Sequence, residues 1–362
     1  MINQLSIRSR LHLDWPLVAG IGLIFFLGLF VLYSAKQEIA LIERQILRFG
    51  IAFLLMLTIA QFPPRFFRML APALYIGGFI LLLLVLVAGY ISKGGQRWLD
   101  LWIVRFQPAE IMKLAVPLMT ARILEDKILP LKFKSLFLPS LLILLPVVLV
   151  AKQPDLGTAI LIFASGFWTL FFTGISFRVF LTLGGVVTAM LPVLWFWMRD
   201  YQRERVLTFL DPERDPLGTS YQIIQSKIAI GSGGLYGKGW LNGSQSQLEF
   251  LPERATDCIF AVFGEEFGLV GCLILLMLYF HIIIRGLYIS VQAQDTFTRL
   301  LTSSLIMTVF IYVGTNMGMV LGLLPVVGIP LPLVSYGGTS LVTLMASFGI
   351  IMSIHTHRLI AK

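Results

Sequence analysis

Apolar runs of roughly 17–25 residues recur along almost the whole chain, and the short stretches between them hold most of the charge. A helix rising 1.5 Å per residue needs about 20 residues to cross a hydrocarbon core about 30 Å thick. Ten such runs lie near 15–34, 46–62, 70–90, 108–124, 136–151, 157–174, 178–198, 258–284, 300–324 and 338–355. Hydrophobic residues make up 57% of the 362 and charged residues 13%, against about 25% charge in a soluble domain. In lipid an open chain must satisfy its backbone within each segment, so every run is a helix. The sequence predicts an all-α fold: a polytopic membrane protein of about ten transmembrane helices, one integral-membrane domain over 1–362. The run from Trp15 to Ser34 has no small-residue cleavage site and reads as the first span.

Lysine and arginine orient the bundle, because cytoplasmic connections carry the excess of both. With the N-terminus inside, the inner face holds Arg8, Arg10, Arg65, Arg68, Arg122, Lys127, Lys132, Lys134, Arg178, Arg285, Arg299, Arg358 and Lys362. These 13 basic residues face only Asp14, Glu125, Asp126 and Asp295. The remaining 15 basic residues are balanced by 15 acidic ones, so the net charge of +9 belongs to the cytoplasmic face. The basicity is a topology signal and gives no reason to expect nucleic acid. Both termini are expected in the cytoplasm.

Two connections break the pattern. Residues 199–257 form one long extracytoplasmic loop between the seventh and eighth spans, far beyond the usual length of about 4–6 residues. Within it Tyr221–Ile230 reads as a short amphipathic helix stopped by Gly231, Gly233 and Gly234. The segment 323–340 carries Pro325, Pro330 and Pro332 in an apolar setting, which forbids a regular helix. Its backbone must be buried against protein or line a wet cavity.

Charges at membrane depth are costly and point to function. Three polar groups stand toward the outer face. In Leu251-Pro-Glu-Arg-Ala-Thr-Asp257, Thr256 is a candidate N-cap, with Asp257 in the first turn of the next helix. Asp257 could serve as a general base, or equally as a helix cap. In Arg105-Phe-Gln-Pro-Ala-Glu-Ile-Met-Lys113, Pro108 opens a helix, and Glu110 and Lys113 share a face. That pair either fixes helix orientation or, with Arg105, meets a phosphate. In Lys152-Gln-Pro-Asp-Leu-Gly-Thr158, Asp155 or Thr158 caps the following helix.

The other motifs carry no site. Gly231-Ser-Gly-Gly-Leu-Tyr-Gly-Lys-Gly239 lacks the strand–loop–helix context of a nucleotide site. Cys258 and Cys272 are 14 residues apart on one expected helix, about 21 Å, too far for a disulfide. His12, His281, His355 and His357 fall on the inner side, away from the outer groups.

Five strings, in this order, carry a resemblance: WLDLWIVRFQPAEIMKLA (98–115), KQPDLGTA (152–159), YQIIQSKIAIGSGGLYGKGW (221–240), LEFLPERATDCIFAVFGEEFGLVG (248–271) and GLLPVVGIPLPLVSYGGTS (322–340). Together they resemble the SEDS family of shape, elongation, division and sporulation proteins, and its elongation branch more than its division branch. The resemblance implies ten transmembrane helices and peptidoglycan glycosyltransferase activity on lipid II. It also implies a class B penicillin-binding protein and other elongation-complex proteins as partners. It makes Asp257 the essential acid and Glu110 and Lys113 functionally important. Ala255 stands where the family often has His, Cys258 where it often has Phe, and Ala109 where it usually has Ser.

Lipid II is a disaccharide-pentapeptide on undecaprenyl pyrophosphate. The implied reaction inverts an α bond to β, which needs one base, assigned to Asp257, and no covalent intermediate. The leaving pyrophosphate needs positive charge, for which Lys113 and Arg105 are candidates, with Lys227 and Lys238 behind them. A divalent cation, magnesium or manganese, is compatible with Asp257, but no ligand set is readable. Two rivals remain: a lipid II flippase and a non-enzymatic scaffold. Against the flippase, the charges gather at the outer face and the 323–340 break has no partner.

Overall fold

The computed structural model describes residues 12–92, 95–100, 105–127, 131, 133–175, 181–182, 185, 188–189, 192, 195–196, 198, 200–211 and 220–358. The span expected at 178–198 lies largely outside them, as do loop residues 212–219 and the side chain of Arg105.

Nine long helices stand at the other nine expected positions. They are α1 (Trp15–Lys36), α2 (Ile39–Gln61), α3 (Pro64–Ala88), α4 (Pro108–Leu124), α5 (Phe133–Lys152), α6 (Leu156–Phe171), α10 (Ile259–Val291), α11 (Thr296–Val320) and α12 (Thr339–Thr356). The long loop adds α7 (Asp200–Leu210), α8 (Tyr221–Gly233) and α9 (Ser244–Gln247). Six of the described helices are long and apolar enough to cross a membrane on length and composition. The others are shorter or, like α2 with Glu43, Arg44 and Arg48, more charged.

Local chemistry sets the helix ends. Asp14 caps α1, accepting from the Leu17 amide at 3.0 Å, and Asp155 caps α6 through the Thr158 amide at 3.2 Å. Pro108 opens α4 where its missing N–H costs nothing. Helix α8 runs through Gly231 to Gly233 and stops at Gly234, whose φ is +57°. Between α3 and α4 the chain forms a small antiparallel sheet that the hydrophobic pattern did not announce: β1 (Tyr90–Ser92), β2 (Gly95–Asp100) and β3 (Arg105–Phe106), in that order. The segment is too short and too polar to span, so its backbone pairs with itself.

An ionic network marks the end of the bundle where α1 begins. Arg285 of α10 pairs with Asp14 at 2.6 Å, and His355 of α12 lies 3.3 Å from the same carboxylate. His12 stacks on His357 with ring centroids 4.0 Å apart. Arg68 pairs with Glu125 at 2.9 Å and with Asp295, which caps the start of α11. Asn316, near the far end of α11, is about 30 Å along the axis from that cap. The outer polar groups of the sequence gather at this far end.

Two expectations are corrected. The eighth span is not one regular helix: α10 extends to Val291 and is interrupted at Gly268 (φ +63°, ψ −163°). The glycine loop after α8 docks there, with Lys238 and Gly239 donating to the Glu265 and Glu266 carbonyls, and Leu269 and Val270 donating to those of Gly234 and Leu235. A Cβ on Gly268 would lie 2.3 Å from the Gly237 nitrogen, so only glycine fits. The 323–340 break is therefore not the only interruption in the bundle.

Candidate active site

The site is built around the non-helical segment 321–338, between α11 and α12. Its carbonyls are satisfied by side chains from several helices. Tyr279 donates to Pro332 at 2.5 Å, Asn316 to Ile329 at 2.7 Å and Gln45 to Ser335 at 3.3 Å. Helix α1 approaches so closely at Gly28 that a Cβ would stand 2.8 Å from the Val334 Cα. This meets the requirement that irregular backbone at membrane depth be buried in protein.

Asp257 sits against this segment. It is half-buried, and a Cβ on Gly328 would be 3.5 Å from its Oδ2. Its local structure corrects the sequence expectation. Helix α10 starts at Ile259 with Cys258 at the cap position, so Thr256 is no N-cap and Asp257 precedes the first turn. The Thr256 hydroxyl turns back to Glu253, 2.9 Å from Oε2. The carbonyls of residues 255–257 are taken by partners outside the helix: Tyr336 N–H donates to Ala255 at 2.8 Å, Ser335 Oγ to Thr256 at 2.5 Å and Asn316 Nδ2 to Asp257 at 2.9 Å.

Glu110 and Lys113 form a buried ion pair at 2.7 Å, and the Lys113 ammonium also donates to the Tyr312 hydroxyl at 2.5 Å. Tyr312 and Asn316 are four apart on α11, one above the other and about 6 Å apart along the axis. One helix face thus carries the ion pair's partner and the residue that holds the Asp257 peptide. The third group joins in: Gln107, just before α4, donates to Asp155 at 2.7 Å. Two small cavities, about 20 and 10 Å³, flank Tyr312 and Leu344; the larger has room for about one water.

The other candidate cations part company. Lys227 is exposed, and its ammonium lies beside Gly322, where a Cβ would come within 2.7 Å of Nζ. Lys238 instead neutralises the buried Glu265 at 2.7 Å and bonds Ser244 at 2.8 Å. Among the described residues no group of three or more His, Cys, Asp or Glu could hold a metal. A cation at Asp257 would draw its other oxygens from phosphate and water, the usual habit of magnesium.

Sequence reasoning passed over Tyr312, Asn316, Ser335 and Arg48, whose guanidinium lies 4.5 Å from the Tyr336 ring centroid. The signal for Tyr312 and Asn316 was present: polar side chains inside an apolar run.

A family model described as "Cell cycle protein", for FtsW, RodA and SpoVE, matches residues 11–359. The chain belongs to this family. Peptidoglycan glycosyltransferase MrdB of Escherichia coli is 54% identical over 358 residues, covering 98% of this chain and 97% of that protein. A probable peptidoglycan glycosyltransferase FtsW of Geobacter metallireducens is 35% identical and covers 91% of each chain. Among solved structures, a chain from a peptidoglycan synthase complex that coordinates polymerization and crosslinking is 37% identical, with a TM-score of 0.82 over 94% of this chain and 97% of that one. The rod shape determining protein RodA of Thermus thermophilus is 31% identical, with a TM-score of 0.72 over 94% and 96%. These relatives agree with the SEDS resemblance, and the MrdB and RodA matches agree with its elongation branch.

Proposed function

We propose that the chain is a peptidoglycan glycosyltransferase of the bacterial inner membrane that polymerises lipid II during cell elongation. What supports this reading most is the juxtaposition of Asp257 with the broken segment 321–338, tied through one face of α11 to the Glu110–Lys113 pair.

Asp257 is the base. It takes the proton from the acceptor's sugar 4-hydroxyl as that oxygen attacks the anomeric carbon of the lipid-linked donor. The bond to undecaprenyl pyrophosphate breaks, and the new bond is β where the old was α. Asp257 is half-buried, with its carboxylate facing Gly328 of the broken segment. Lys227 and Arg105 supply positive charge for the leaving pyrophosphate. Lys113, held by Glu110 and Tyr312, fixes α4 against α11 and positions the site. Lys238 anchors the loop through Glu265.

The Asp257 end faces the periplasm, with both termini and the Asp14–Arg285 end in the cytoplasm. Residues 199–257 are then extracytoplasmic. A class B penicillin-binding protein is the partner, in keeping with the polymerization and crosslinking named for the related synthase complex.

The test is the full-length protein in vesicles with lipid II, with and without that partner. Glycan strands are expected. Lipid II crossing the bilayer without polymer would replace this reading with a flippase, which the second break at Gly268 makes the relevant rival.

A further inference from the structure

Three successive carbonyls, those of Ala255, Thr256 and Asp257, are each held by a donor from α11 or the broken segment. The Thr256 carbonyl belongs to the peptide plane before the Asp257 Cα, and the Asp257 carbonyl to the plane after it. Peptides are planar, so fixing both planes fixes the two soft dihedrals between them and the direction of the Cβ. The side-chain torsions of Asp257 then complete the aim of its carboxylate.

Asn316 is fully buried, and its Nδ2 donates both to Asp257 O at 2.9 Å and to Ile329 O at 2.7 Å. Both partners are acceptors, so only the amide nitrogen can face them. Ile329 follows Gly328, the residue the Asp257 carboxylate faces. Asn316 therefore sets the spacing between the carboxylate and the backbone opposite it. Ser335 does the same from the other side, accepting from Leu331 N–H at 2.8 Å while donating to Thr256 O.

We propose that Asn316 and Ser335 are positioning residues that aim the Asp257 carboxylate by locking the peptide planes on both sides of it. The inference rests on the reading of Asp257 as the base.

The experiment measures strand synthesis from lipid II by full-length Asn316→Asp, Ser335→Ala and Asp257→Asn proteins, as kcat and KM across pH. Asn316→Asp is nearly isosteric but replaces two donated bonds with repulsion. Misplacing a reacting group by about 1 Å costs about 100-fold. A kcat loss of that order is expected for Asn316→Asp, and about tenfold for Ser335→Ala, with KM within about twofold. The acidic limb of kcat, which reports the base in the bound complex, should also move. A structural defect that only reduces the amount of active protein would scale kcat equally at every pH.

Folded variants with wild-type kcat, or with a reduced kcat and an unmoved limb, would overturn the inference. If Asn316→Asp fails to accumulate, Ser335→Ala decides alone. Full activity in Asp257→Asn would remove the underlying reading; an inactive Asp257→Asn beside unaffected Asn316 and Ser335 variants would remove only this inference.

Discussion

Lys113 shows how one buried charge depends on its neighbours. It is 5% exposed, and its ammonium has Glu110 and Tyr312 as partners. Truncating one member of such a pair leaves the other charge stranded and costs about 3–5 kcal/mol, while removing both charges together costs far less. Lys113→Ala should therefore lower the melting temperature sharply. The double change Glu110→Gln with Lys113→Met should recover most of it, as thermal unfolding in detergent would show. Equal losses in the single and double variants would mean the pair is not coupled. The pair was legible from its i, i+3 spacing, and so was the Asp155 cap. The pairing of Lys113 with Tyr312 was not, because the two lie 199 positions apart, although a polar side chain in that apolar run was visible. The expected Thr256 cap failed for a related reason: the carbonyls of 255–257 have distant partners that local sequence does not reveal.

Among the described helices and their connections, hydrophobic run length placed nine of the ten expected runs well, because lipid leaves the backbone few alternatives. It was silent on the β1–β3 sheet and on the interruption of α10, both set by packing between segments. Gly268 is the clearest case, since its Cβ would collide with the docked glycine loop. Gly268→Ala should free that loop from α10. Limited proteolysis should then cut within 234–250 at least several times faster than in wild type, with the other helices still protected. An unchanged cleavage pattern would show that the loop does not depend on that contact.

Over the full bundle, charge bias predicts the orientation, and the structure gathers the ionic network of Asp14, Arg285, Arg68, Glu125 and Asp295 at one end. An impermeant maleimide tests the topology on intact cells. Native Cys258 and Cys272 are both buried, so background labelling should be low. Tyr236→Cys should label from outside, and Asp126→Cys only after the membrane is opened. The reverse pattern would invert the bundle and put Asp257 on the wrong side for cell-wall chemistry.

All of this chemistry turns on the Asp257 carboxylate removing the acceptor's proton. Giving purified Asp257→Asn protein lipid II beside wild type, and measuring strand length and yield, probes that step with a change of one functional group. A folded, membrane-inserted variant that makes no strands above background is expected. Strands of wild-type length and yield from that variant would refute the proton-transfer role.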